Sequence, residues 1–256
     1  MNKNKIVFSV IVIMAFLIAF YGKRILSEYF ILSIANDYLK IAYFYLWWIL
    51  PTTLITGLLY GFNTILGNIG IKKGVITGFL FSIVTVSPMF ISSAFIGHIG
   101  ENLKIVSLIQ QTLLAGFMEE YLFRGFLFGL LFRKLGWGFI PASIVGAFIF
   151  GIGHLYQGST FQETVGVFLV TSLGAVWFAW LYIEWNNNLW ISIFLHILMN
   201  LSWALFEVST NALGGGYTNL FRIITITLTI LITIKYNKEN GLRINRKNLI
   251  KNTNNV

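Results

Sequence analysis

Two adjacent glutamates and an arginine, Glu119, Glu120 and Arg124, stand inside a run of residues 103–131 that is otherwise almost wholly apolar. A charged side chain at a bilayer centre costs roughly 2.5 kcal/mol or more even on the most lenient scale, so three in one span require partners within the protein. Residues four apart share a helix face, which sets Arg124 one turn from Glu120 and lets that pair neutralise itself. Glu119 is turned about 100° away and has no partner nearby in sequence. Taken alone, the cluster reads equally well as a buried structural ion pair with one spare carboxylate facing a polar cavity.

Two further pairs share this one-turn spacing. His154 follows Phe150 by four residues, and Asn200 follows His196 by four. Each histidine alone reads as an ordinary packing polar group. Together with Glu119 they supply a carboxylate, two imidazoles and an amide from three helices, the parts needed to activate water against a carbonyl. A carboxylate in apolar surroundings is a stronger base than in water, and a neutral amide such as that of Asn200 suits a developing negative charge. Competing hydrolytic designs are missing their residues. No His is followed by Glu, so there is no H-E-x-x-H; the only Asp is Asp37, in an expected loop; no Gly-x-Ser-Gly segment occurs; and with no Cys there is neither a thiol nucleophile nor a thiolate metal site.

The elements that must hold these groups are membrane helices. Of 256 residues 57% are hydrophobic and 11% charged, with a mean hydropathy of +0.77, far from a soluble domain, where charged residues make up about 25%. Apolar runs near the ~20 residues needed to cross a bilayer predict eight spans, at about 6–21, 41–62, 74–96, 103–131, 139–155, 164–183, 189–206 and 217–234. The first reads as an uncleaved span, since no A-x-A-like site follows it. In the last, Thr225, Thr227 and Thr229 alternate with apolar residues as in a strand. A helix is expected there all the same, because a lone strand leaves its backbone unsatisfied in lipid. Pro51 and Pro88 fall inside spans, where neighbouring groups can satisfy the freed carbonyls. Gly57-x-x-x-Gly61 and Gly125-x-x-x-Gly129 permit close helix contacts, though with 24 Gly in the chain such matches arise readily.

Eight spans put both termini on one side. That side carries twelve Lys and Arg beside the spans and in the tail (Lys3, Lys5, Lys72, Lys73, Arg133, Lys134, Lys235, Lys238, Arg243, Arg246, Lys247, Lys251), against Lys23, Arg24, Lys40 and Lys104 opposite. The positive-inside rule then places both termini in the cytoplasm. The same distribution explains the net charge of +9 without nucleic acid as a partner. A single transmembrane domain is expected over 1–236. Residues 237–256 are expected to form a basic, Asn-rich cytoplasmic tail, disordered or laid on anionic lipid.

In order along the chain, Glu119-Glu120-Tyr121-Leu122-Phe123-Arg124 fits E-E-x-x-x-R, Phe150 to His154 fits F-x-x-x-H, and His196 to Asn200 fits H-x-x-x-N. This ordered trio resembles the CAAX protease and bacteriocin-processing (CPBP/Abi) family of intramembrane glutamic endopeptidases. The resemblance covers about 80 residues, and the first three spans are similar only as membrane helices. It implies that Glu119 and His154 activate the attacking water, that His196 and Asn200 bind the oxyanion, and that Glu120, Arg124 and Phe150 shape the site. No cofactor is expected: zinc on the same imidazoles and carboxylate is the alternative, but Asn200 on the face of His196 suits an oxyanion site better than a metal ligand.

The fold expected is therefore all-α, a polytopic bundle of about eight transmembrane helices. The function expected is hydrolysis of a peptide bond in a membrane-associated or leader-type peptide, with the bilayer and that peptide as partners. Two rivals are a proton- or cation-coupled transporter, whose paired broken helices are not visible, and a catalytically silent membrane immunity or binding protein. Depth sets one constraint. At ~1.5 Å per residue, His154 lies roughly 22 Å from the near end of its span and His196 roughly 10 Å from its own. Levelling them requires shifted boundaries, or a helix interrupted at Gly151 and Gly153.

Overall fold

The computed structural model describes residues 3–29, 37–100, 103–239 and 241–252. Among these there is no strand, only helices joined by short turns and one isolated bridge between Trp137 and Lys251. The helices are α1 (Lys3–Tyr29), α2 (Asp37–Tyr60), the short α3 (Ile65–Ile69), α4 (Val75–Ile96), α5 (residues 105–133, continuous), α6 (Phe139–Gly153), α7 (Phe161–Glu184), α8 (Leu189–Leu205) and α9 (Gly216–Tyr236). Six of them, α1, α2, α4, α6, α7 and α9, are long and apolar enough to cross a membrane. The other two expected spans are α5, which carries the charges, and α8, which has 17 residues. The chain is a polytopic helical bundle. Asp37, expected in a loop, is instead the first residue of α2.

Helix α5 is wound unevenly. Residues Gln110–Leu114 and Glu120–Phe128 form π-helical turns on either side of Ala115–Glu119. Such wide turns are rare in helices and concentrate at functional sites. Every residue from Glu120 to Phe128 is buried, so α5 is the central post of the bundle. Close packing around it depends on small residues: a Cβ on Gly125 would come within 2.7 Å of Ile69 and 3.0 Å of Leu189. Gly57-x-x-x-Gly61 makes no such helix contact, because Gly61, at φ 94°, already lies past the end of α2.

Polar groups in the spans satisfy themselves locally. Pro88 has no N–H for the Val84 carbonyl, and Ser87 Oγ donates to that oxygen instead at 3.0 Å. Along α9 the apparent strand pattern resolves into a helical one, with Thr225, Thr229 and Thr233 fully buried at four-residue spacing. Trp177 Nε1 donates to Thr229 Oγ1 at 3.2 Å, and Trp185 Nε1 to Thr233 Oγ1 at 2.9 Å. Side-chain hydroxyls thus hold α9 against α7.

One end of the bundle gathers the start of α1, the connections around 61–74, 133–138 and 185–188, and the tail. Trp137 Nε1 donates to Ser9 Oγ, Arg133 Nη1 to the Asn68 carbonyl and to Tyr182 Oη, and Asn188 Nδ2 to the Gly74 carbonyl. The connections assigned to the basic side by charge counting therefore do lie together. Lys23 and Arg24, on the opposite side of that count, fall where side chains lie outside the described residues.

The tail departs from expectation. Over 241–252 it is packed against the bundle rather than disordered. Helix α6 opens at Gly138 without a side-chain cap, and its orphan Phe139 and Ile140 amides donate to the Asn248 and Leu249 carbonyls at 2.8 and 2.9 Å. Asn252 donates its side-chain amide to the Phe132 carbonyl at 2.9 Å. The fully buried Glu184 accepts from the Ile244 and Arg243 amides at 3.0 and 2.9 Å. Unpaired backbone groups at the helix ends, which composition does not reveal, are what the tail satisfies.

Candidate active site

The site is built around Glu120, which is fully buried, and Arg124, 2% exposed. Arg124 Nη1 lies 3.1 Å from Glu120 Oε1, the pair anticipated one turn apart. The ion pair is close but not aligned as a hydrogen bond, and Glu120 Oε2 and Arg124 Nη1 both lack hydrogen-bond partners among the described residues. The guanidinium is held by rings instead: its centre lies 4.7 Å from the Phe150 centroid and 5.3 Å from that of Phe178. Aromatic faces attract a desolvated cation, which gives Phe150 a structural role and adds Phe178, which sequence reasoning missed. One more aromatic in an apolar span carries no signal of its own.

His196, from the middle of α8, enters between the two glutamates. Its Nδ1 stands 2.8 Å from Glu120 Oε1. Facing an acceptor-only carboxylate, Nδ1 must carry the proton and donate, which fixes the ring and turns Nε2 outward. Nε2 then faces Glu119 Oε2 at 3.8 Å. That separation exceeds a hydrogen bond and suits a bridging water. The Glu119 and His196 side chains keep 20% and 11% exposure while Glu120 has none, so one carboxylate is partly open and the other is sealed.

The remaining two sequence-predicted residues lie further out. His154 follows the last helical residue of α6 and leads into a 3₁₀ turn, Leu155–Gln157. The helix ends at Gly153, two residues before the expected boundary, with Gly151 still inside it. The His154 Nδ1 lies 2.7 Å from the Phe150 carbonyl, to which it donates, and the ring packs at 4.4 Å on Phe150, the same ring that faces Arg124. Among the described residues Glu119 pairs with His196 and not with His154. Asn200 Nδ2 donates to the Gln111 carbonyl at 2.9 Å, within the first π-helical turn of α5. One amide hydrogen of Asn200 is thereby committed and one is left.

Beside the site, α2 and α5 diverge around an open-sided cavity of ≈ 460 Å³, lined by Tyr45, Leu46, Ile49, Leu114 and Met118 among others. Met118 is the residue before Glu119. No three His, Asp or Glu side chains among the described residues are grouped as metal ligands.

Comparison with known proteins places this same segment. Residues 101–202 match the family described as type II CAAX prenyl endopeptidase Rce1-like, a stretch that includes Glu119, His154, His196 and Asn200. A protein of Bacillus subtilis (strain 168) described as "Putative membrane peptidase YdiL" is 31% identical over 93 residues, 36% of this chain. The match spans 34% of that relative's length. No solved structure matches the chain.

Proposed function

With residues 101–202 an Rce1-like segment of a polytopic membrane protein, we propose that the chain is an intramembrane endopeptidase that hydrolyses a peptide bond with water activated by Glu119. The observation that carries this reading is His196 set between two carboxylates, 2.8 Å from Glu120 and 3.8 Å from Glu119. Glu120, neutralised by Arg124, holds the imidazole in one tautomer. Nε2 and Glu119 then address one water from two sides.

Glu119 takes a proton from that water as its oxygen adds to the carbonyl carbon, and returns the proton to the amine as the C–N bond breaks. His196 is thus the imidazole beside the base, an exchange of roles with His154 relative to the expectation from resemblance. Asn200, with one free amide hydrogen, and His154, behind Phe150, complete the proposed set. The substrate is a peptide or protein segment in or at the bilayer, and the basic end with the tail faces the cytoplasm.

Reconstituted protein is incubated with a pooled library of quenched-fluorescent peptides, each bearing an apolar stretch. Wild-type protein should cleave members of the pool, and Glu119→Gln should bind the same peptides without cleaving them. Equal cleavage by wild type and Glu119→Gln would refute the mechanism.

A further inference from the structure

Tyr45 belongs to α2, is 7% exposed, and packs its ring edge-on against Phe44 and Trp48 at centroid distances of 5.1 and 5.8 Å. Its hydroxyl has no hydrogen-bond partner among the described residues, and it is not fully enclosed as the unpartnered Tyr60 hydroxyl is. Buried tyrosine hydroxyls normally find a partner, because leaving one unmade is costly. Tyr45 lines the α2–α5 cavity together with Met118, and the Glu119 carboxylate, one residue further along α5, is near enough to act on the phenol by its charge.

We propose that Tyr45 is a further catalytic residue, whose hydroxyl donates a hydrogen bond to the carbonyl oxygen of a peptide bond bound in the α2–α5 cavity. This rests on the peptidase reading above. As the water oxygen bonds to the carbonyl carbon and its proton passes to Glu119, the carbonyl π pair moves to oxygen. The phenol O–H stabilises that oxygen without surrendering its proton. When the pair returns, the C–N bond breaks and Glu119 delivers its proton to the nitrogen, so water and peptide become acid and amine. Asn200 has one hydrogen tied to Gln111, so a second donor on the cavity wall gives the developing oxyanion two donors from two helices. The ring packing of Tyr45 fixes the phenol in advance, which is what makes such a donor effective. The apolar lining accommodates the substrate side chains that flank the scissile bond.

The test uses the full chain in vesicles and the most rapidly cleaved peptide of the quenched-fluorescent pool. Because the hydroxyl has no partner among the described residues, Tyr45→Phe should keep the wild-type melting temperature and KM while kcat falls by about 10²-fold, the usual effect of deleting one oxyanion donor. Tyr45→His, which restores a donor, should turn over faster than Tyr45→Leu, and this comparison decides the matter if the Phe variant is poorly folded. Wild-type kcat in Tyr45→Phe, or equal rates in the His and Leu variants, overturns the proposal while leaving the peptidase reading in place. No cleavage by wild type overturns both.

Discussion

The Nδ1 of His196 lies 2.8 Å from Oε1 of Glu120, a carboxylate with no solvent exposure at all. The same oxygen faces Arg124 at 3.1 Å, so one buried charge orients an imidazole on α8 and a guanidinium on its own helix. Neither partner can be removed without stranding the other. Glu119, one residue earlier, has no such structural duty. Adjacent carboxylates are thereby divided into one that holds the site and one that is free to react.

The stability of the two glutamate variants should differ accordingly. Glu120→Gln, or Arg124→Ala, leaves a buried charge uncompensated, and breaking a buried pair in this way costs about 3–5 kcal/mol. Both variants should accumulate poorly and melt earlier in detergent. Glu119→Gln should melt with the wild type. A Glu120→Gln protein of wild-type yield and melting temperature would show that the pair is not structural.

The two histidines should separate in turnover. With Nε2 of His196 beside Glu119, His196→Asn should lower kcat by about 10²–10⁴, the range for general acid–base groups. His154→Ala should lower kcat by less, since among the described residues Glu119 pairs with His196 and the His154 ring packs on Phe150. A larger loss in the His154 variant than in the His196 variant would return the water-activating role to His154.

The positions of the spans are legible because each is a long apolar run, and the Glu120–Arg124 pair because it is one helical turn long. The pairing of Glu120 with His196 is not, since it joins residues 76 apart on different helices and depends on how α5 and α8 are rotated. The π turns of α5 also escape pattern reading, because apolar periodicity on a helix buried on all sides has no contrast. For Thr225, Thr229 and Thr233 the four-residue spacing is present, masked by Thr227 between them. The tail is misread from its Asn and Lys content. What fixes it is a set of orphan amides at Phe139, Ile140, Arg243 and Ile244, which no composition reports.

The docked tail gives a direct test at Glu184. Replacing it with Ala leaves the Arg243 and Ile244 amides unpaired, at about 1–3 kcal/mol for each buried group. Limited trypsin treatment should then cut at Arg243, Arg246 or Lys247 faster than in wild type, with the rest of the bundle intact. Equal cutting rates would mean that the carboxylate does not hold the tail.

Orientation can be read with cysteines, because the chain has none of its own. Lys73→Cys lies at the end that gathers the tail and Thr210→Cys at the opposite end, both at exposed positions. In intact cells an impermeant thiol reagent should label position 210 and not 73. Labelling at 73 would reverse the orientation proposed from the positive-inside rule.

The last prediction separates a glutamic peptidase from a zinc enzyme made of similar parts. A catalytic zinc takes three protein ligands and keeps one position open. Here Glu119 and His196 could supply two, and no third His, Asp or Glu is grouped with them as a metal ligand among the described residues. The contact of His196 Nδ1 with Glu120 is one that would support a metal ligand equally well, so the orientation of the ring does not by itself decide between the two. We propose that the gap of 3.8 Å between Nε2 and Glu119 is filled by a water held by both rather than by a metal. Purified protein should therefore keep its activity after exhaustive chelation, and added zinc should not raise it. Stoichiometric zinc in the purified protein, or chelator inactivation reversed by zinc, would replace the water-activating role of Glu119 while leaving the peptidase proposal standing.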